Sequence, residues 1–149
     1  LPATLGYKTA ALSLATTPAF ELIADQVALQ ILTASPTAFL TATTAGYKTL
    51  TVKYKNAHST PLTLFTIEAK VASADTYATF YSTAAQFAAL RATFFTFCHS
   101  TDDNLDLTTL DAGESVTLRF DVSGFYAVRL SAQQGTSNGT ADIFATMGA

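Results

Sequence analysis

The second half of the chain contains short segments in which apolar and polar residues alternate. The clearest segment runs from Ser115 to Val122. Its apolar positions are Val116, Leu118, Phe120 and Val122, and the polar positions between them are Thr117, Arg119 and Asp121. Because successive side chains of a strand point to opposite faces of a sheet, this pattern predicts a strand with one face in a core and the other in water.

Similar segments predict further strands on both sides of this one. Leu62–Val71 changes phase between Leu64 and Phe65, which indicates a β-bulge at that point. Asn138-Gly139 predicts a hairpin turn with a positive φ between two strands. Good helix formers in 84–91 predict a short helix, and Leu105, Leu107 and Leu110 are expected to anchor the loop 100–113. The predicted strands cover 49–55, 62–71, 76–83, 92–99, 115–122, 126–132 and 140–147.

Residues 1–46 have a weaker pattern. The stretch Leu1–Phe20 contains two prolines and a glycine among scattered apolar residues, which predicts an extended arm with one short strand at Ala10–Ala15. Glu21–Thr33 fits a strand through alternating Val27, Leu29 and Ile31, and it also fits a helix through an i, i+4 spacing. We favour the strand because the rest of the chain is β.

Together these segments predict an all-β fold, an antiparallel β-sandwich of the Ig-like or jelly-roll type with an extended N-terminal arm. Residues 1–46 would form the arm and the first strand or strands, and residues 47–149 the β-sandwich domain. A chain of 149 residues is long enough for one such domain.

The composition favours an assembly subunit. Only 13% of the residues are charged, against a typical value of about 25%. Eight Lys and Arg against eleven Asp and Glu give a net charge of −3, so a nucleic-acid partner is not expected. The apolar stretches are too short to span a bilayer. A surface rich in Thr, Ala and Ser is easily desolvated and suits permanent contact with neighbouring proteins.

The possible catalytic residues are few. Cys98 is the single cysteine, so no intrachain disulfide can form. Cys98 and His99 are neighbours on a predicted strand and would point to opposite faces, which argues against a catalytic pair. His58 lies in a predicted turn with no evident acid partner.

A metal site is also not expected. Asp102, Asn104 and Asp106 begin like a calcium loop, but Leu107 stands where such a loop needs Gly and Gly113 where it needs Glu. Asn138-Gly139-Thr140 matches the glycosylation pattern and equally makes a turn. We therefore expect no catalytic residues, no metal, no cofactor and no enzymatic activity.

The segment Leu107–Gly124, with its Leu110-Asp-Ala-Gly-Glu-Ser approach to a strand, resembles small β-sandwich structural proteins of tailed bacteriophages, most closely capsid decoration (cement) proteins. Residues 126–132, residues 139–141 and the strands at 49–56 and 62–71 extend this resemblance over about residues 47–147. The same approach to a strand is similar to that of extracellular Ig-like modules.

The phage resemblance implies a non-enzymatic protein on the capsid surface of a virion. It would bind the major capsid protein and other copies of itself, commonly as a homotrimer, and clamp neighbouring coat subunits. From the composition of the arm we expect the contacts with these partners at Leu5, Tyr7, Leu12 and Leu14. The alternative is an extracellular filament subunit, or an adhesive or tail-fibre module, assembled by strand addition through the arm.

Overall fold

The computed structural model describes residues 20–92, 97–100 and 107–149. This part of the chain forms nine strands, one short α-helix (α1, Ala84–Ala92) and one 3-10 turn (Leu107–Thr109). The strands are β1 (Phe20–Ile31), β2 (Thr37–Thr43), β3 (Thr49–Asn56), β4 (Leu62–Lys70), β5 (Ala78–Tyr81), β6 (Phe97–Ser100), β7 (Ser115–Asp121), β8 (Ala127–Gln134) and β9 (Gly139–Gly148).

The strands form an antiparallel β-sandwich of two sheets. The five-stranded sheet has the order β1-β9-β3-β7-β6, and the four-stranded sheet has the order β2-β8-β4-β5. Pairing is nested, since β1 pairs with β9, β2 with β8, β3 with β7 and β4 with β5. This is the arrangement of a jelly-roll, with β6 added at the edge beside β7. The all-β sandwich prediction is confirmed, and the topology is jelly-roll rather than Ig-like.

The predicted hairpin around Asn138-Gly139 is wrong. The two flanking strands β8 and β9 belong to different sheets, so the chain crosses between the sheets at this point. Positive φ values among the described glycines occur at Gly46, Gly113 and Gly124 and not at Gly139. Alternation shows which residues of a strand are buried, but it does not show which sheet the strand joins, and this is why the hairpin prediction fails.

The predicted strand in 21–33 is confirmed as β1. Both β1 and β2 pair with other strands of the sandwich. In the described residues the sandwich therefore begins at Phe20, and not near residue 47 as predicted. The bulge of β4 lies between Leu62 and Leu64, slightly before the predicted position. Helix α1 is present as expected, and the proposed strand at Ala10–Ala15 lies outside the described residues.

The core lies between the two sheets. Val116, Leu118 and Val122 are buried while Arg119 and Asp121 are exposed, which confirms the predicted faces of β7; the side chain of Phe120 is outside the described set. Leu107 and Leu110 are also fully buried and anchor the segment before β7, as predicted, while Leu105 lies outside the described residues.

Aromatic side chains fill the centre of the core. The Tyr54 ring packs against Phe39 at 4.9 Å and against Phe65 at 5.5 Å between ring centroids. Phe87 of α1 contacts Phe65 at 5.9 Å, so the helix closes this side of the core. The outer faces of the two sheets are therefore held on a rigid support.

Candidate contact surfaces

Most residues with candidate chemistry either lie outside the described residues or have a structural role. Asp102, Asn104 and Asp106 are outside the described residues. Cys98 and His99 lie on β6 opposite Leu118 and Thr117, two residues on opposite faces of β7. Within 20–92, 97–100 and 107–149 there is no group of three or more His, Cys, Asp or Glu that could hold a metal ion. No helix in those ranges is long and apolar enough to cross a membrane.

His58 connects two turns at one end of the sandwich. Its Nε2 lies 2.8 Å from the Ser137 hydroxyl. A Cβ at Gly139 would lie 2.5 Å from the His58 ring, which is closer than carbon atoms approach. Gly139 is therefore required for the close approach of this ring and not for a turn conformation. Both residues act in packing the β3–β4 turn against the β8–β9 turn.

Asn56 holds the same end of the sandwich together. Its buried Nδ2 donates to the carbonyls of Thr60, Leu110 and Asp111 at 2.9, 3.0 and 3.3 Å. Its Oδ1 accepts from the buried Gln134 amide at 3.0 Å. A buried amide with all these partners fixes the relative position of four chain segments, so this cluster is structural.

The outer face of the five-stranded sheet carries two exposed large apolar side chains, in a surface that we call the β9 patch, formed by Leu22, Phe144, Thr146, Thr51 and Lys53. Leu22 is 57% exposed and Phe144 is 38% exposed. Leu22 lies opposite Thr146, and Phe144 lies opposite Lys53. On its β1 side Phe144 lies opposite Asp25, so charged side chains flank this exposed ring. Exposed large apolar side chains with a polar surround are typical of a protein contact.

Strand β1 forms the edge beside this patch and is irregular. Register shifts occur between Leu22 and Ala24 and between Gln26 and Leu29. Within the second shift Ala28 has φ of 57°, and its N–H donates to Asp142 Oδ1 at 2.9 Å. Bulges of this kind make an edge a poor template for another strand. The regular part of the open edge is therefore short.

The beginning of β1 is fixed to the β2–β3 turn. The Tyr47 hydroxyl donates to a carboxylate oxygen of Glu21. This hydrogen bond is the main reason that the pKa of Tyr47 lies above its usual value, and burial and the Glu21 charge act in the same direction. The point at which residues 1–19 join the sandwich is thus tied to the body of the fold.

The outer face of the four-stranded sheet carries charged and aromatic side chains. Arg129 Nε donates to Glu68 Oε2 at 2.8 Å, and this bond raises the pKa of Arg129. The Arg129 guanidinium lies 4.2 Å from the centre of the Tyr77 ring, and the Lys70 ammonium lies 5.1 Å from that ring and 5.7 Å from the Tyr126 ring. The two outer faces therefore differ: on one, Leu22 and Phe144 are exposed among threonines and charged residues such as Lys53 and Arg119, and on the other, charged and aromatic side chains contact one another.

No family model and no curated protein matches the sequence. The fold is similar to the crystal structure of the SPBc2 prophage-derived protein YomS, at 16% identity over 87% of this chain and 91% of that chain, with a TM-score of 0.46. It is also similar to chitosan-binding module 1 from a chitosanase/glucanase of Paenibacillus sp. IK-5, at 16% identity over 70% of this chain and 64% of that one, with a TM-score of 0.35. Similarities this distant assign neither a family nor a function.

Proposed function

We propose that the protein is a non-enzymatic structural protein of a virion, a decoration protein that binds the outer surface of a phage capsid and clamps neighbouring coat subunits. The observation that carries this proposal is the β9 patch, where Leu22 and Phe144 remain exposed on a rigid sheet. Burying such side chains against a partner is favourable by about 25 cal/mol per Å² of apolar surface. The sequence resemblance to decoration proteins supplies the capsid as the partner.

Clamping needs contact with more than one partner at once. The β9 patch would provide one contact, and the arm before Phe20, through Leu5, Tyr7, Leu12 and Leu14, would provide another. Two weak contacts on one molecule reinforce each other because the second forms at high effective concentration. Closed threefold contacts between copies, as in a homotrimer, would multiply this effect.

The test is sedimentation with purified capsids of the phage whose genome encodes the chain. A double variant with Leu22→Asp and Phe144→Asp should lose at least about tenfold in affinity, because each substitution buries a carboxylate in the contact. The matched control is Val71→Asp, since Val71 is 65% exposed and follows β4 of the other sheet.

Unchanged melting temperatures would show that all variants are folded. The proposal is contradicted if the unmodified protein does not bind capsids, or if the double variant binds as well as the control.

An extracellular module assembled by strand addition is the second candidate, and the position of β1 at a sheet edge favours it. However, the Leu29–Ile31 segment of β1 pairs with β9 of its own sheet, so strand addition would have to use the arm. Light scattering across a range of concentrations distinguishes the two: a decoration protein should reach a closed oligomer, and a strand-exchanging subunit should continue to grow.

A further inference from the structure

A groove crosses β2, β4 and β8 on the outer face of the four-stranded sheet. Its volume is about 390 Å³, within the range of about 300–1,000 Å³ that is typical of small-molecule sites. The groove lies on the opposite side of the sandwich from the β9 patch. The proposed capsid contact therefore does not account for it.

The floor of the groove is formed by hydroxyl groups. Ser131 and Thr66 lie opposite each other on β8 and β4, and both line the groove. Ser131 is only 6% exposed as a whole residue, and its hydroxyl makes no hydrogen bond with any residue in the described part of the chain. Because a serine hydroxyl can donate one hydrogen bond and accept others, a ligand in the groove can bond to it.

The charged pair at one side of the groove is held in place and only partly used. Glu68 and Arg129 are joined through Nε, which leaves the Arg129 Nη groups and Glu68 Oε1 without a hydrogen-bond partner among the described residues. The Tyr77 ring fixes the guanidinium plane. The pair thus offers donors and acceptors side by side, and its charges cancel.

The other side of the groove is apolar and is formed by Pro36, Ala38 and Leu64. A ligand that fits both sides must present carbon-bound hydrogens along one face and adjacent hydroxyls along its edge, without a net charge. We propose that this groove binds a neutral oligosaccharide. The sugar hydroxyls would bond to Ser131, Thr66 and the Glu68–Arg129 pair.

The proposal can be tested with the full chain by calorimetric or NMR titration against four probes: cellohexaose, maltohexaose, mannohexaose and hexa-N-acetylchitohexaose. At least one should bind with saturable shifts at β4 and β8. Glu68→Gln should weaken that binding about tenfold or more, since it removes a charge-assisted hydrogen bond. Thr66→Val, which keeps the shape of the side chain, should also weaken it.

The matched control for Thr66→Val is Thr117→Val, on the outer face of the other sheet, which should leave sugar binding unchanged. Binding to none of the four probes at millimolar concentration would overturn the proposal, as would binding that survives both Glu68→Gln and Thr66→Val. Stronger binding of an acidic sugar such as hexagalacturonate would overturn the neutral assignment. Capsid sedimentation of the same variants separates the two proposals: loss of capsid binding with Thr66→Val would assign this face to a protein contact instead.

Discussion

At the scale of single residues, Tyr54 is the most informative side chain of the core. It is fully buried, and its hydroxyl has no hydrogen-bond partner among the described residues. Because a buried hydroxyl without a partner destabilises the fold, Tyr54→Phe should leave the free energy of unfolding unchanged or raise it by about 1 kcal/mol at pH 7. Urea denaturation measures this. A clear loss of stability would show that the hydroxyl has a partner.

The same residue determines part of the response to alkaline pH. Burial raises the pKa of Tyr54 above its usual value, so the folded protein holds the proton longer than the unfolded chain. Its contribution to stability is complete below about pH 10 and is lost as the pH rises above that value. We expect Tyr54→Phe to lose less stability than the unmodified protein between pH 8 and pH 11.

At the scale of elements, the Asn56 amide joins β3 to the segment before β7 and to β8. Asn56→Ala would leave three buried or half-buried carbonyls without this donor. We expect the free energy of unfolding to fall by about 2–4 kcal/mol, measured by urea denaturation. Asn138→Ala is the control, because Asn138 is exposed and accepts from Thr33, and it should cost less than about 1 kcal/mol. Equal losses in the two variants would contradict the role given to Asn56.

Strand β1 shows how an element is decided by its neighbours. Its sequence fits a strand and a helix almost equally well, yet it forms a strand because β9 offers an unpaired edge. The two register shifts then place Ala24 and Ile31 in the core. No local signal in the sequence announces these shifts.

At the scale of the whole molecule, residues 1–19 precede a sandwich whose described pairing starts at Phe20. We therefore expect deletion of residues 1–19 to leave a folded protein with a nearly unchanged melting temperature. Capsid binding should fall by at least about tenfold, because one of two linked contacts is lost. Circular dichroism and capsid sedimentation measure the two effects. A truncated chain that fails to fold, or that binds capsids as well as the full chain, would contradict the role of Leu5, Tyr7, Leu12 and Leu14.

The sequence alone determined the all-β class, most strand positions and the buried faces of strands such as β7. Burial alternates with a period of two residues, and this period can be read locally. It also indicated correctly that Leu107 and Leu110 anchor a loop. The β9 patch could have been suspected from Phe144, because this large apolar residue lies between Asp142 and Thr146 at the outward positions of β9.

Only the tertiary structure decided which strands share a sheet. The nested pairing places β1 in the sandwich from Phe20 onward, and it makes the chain cross between the sheets from β8 to β9. It also brings the His58 ring close to Gly139, where no side chain would fit. The groove has the same origin, since Ala38, Thr66 and Ser131 come together from three distant parts of the chain. Alternation is a property of neighbouring residues, whereas the choice of sheet partner depends on the total burial of all strands at once, and no short segment contains that information.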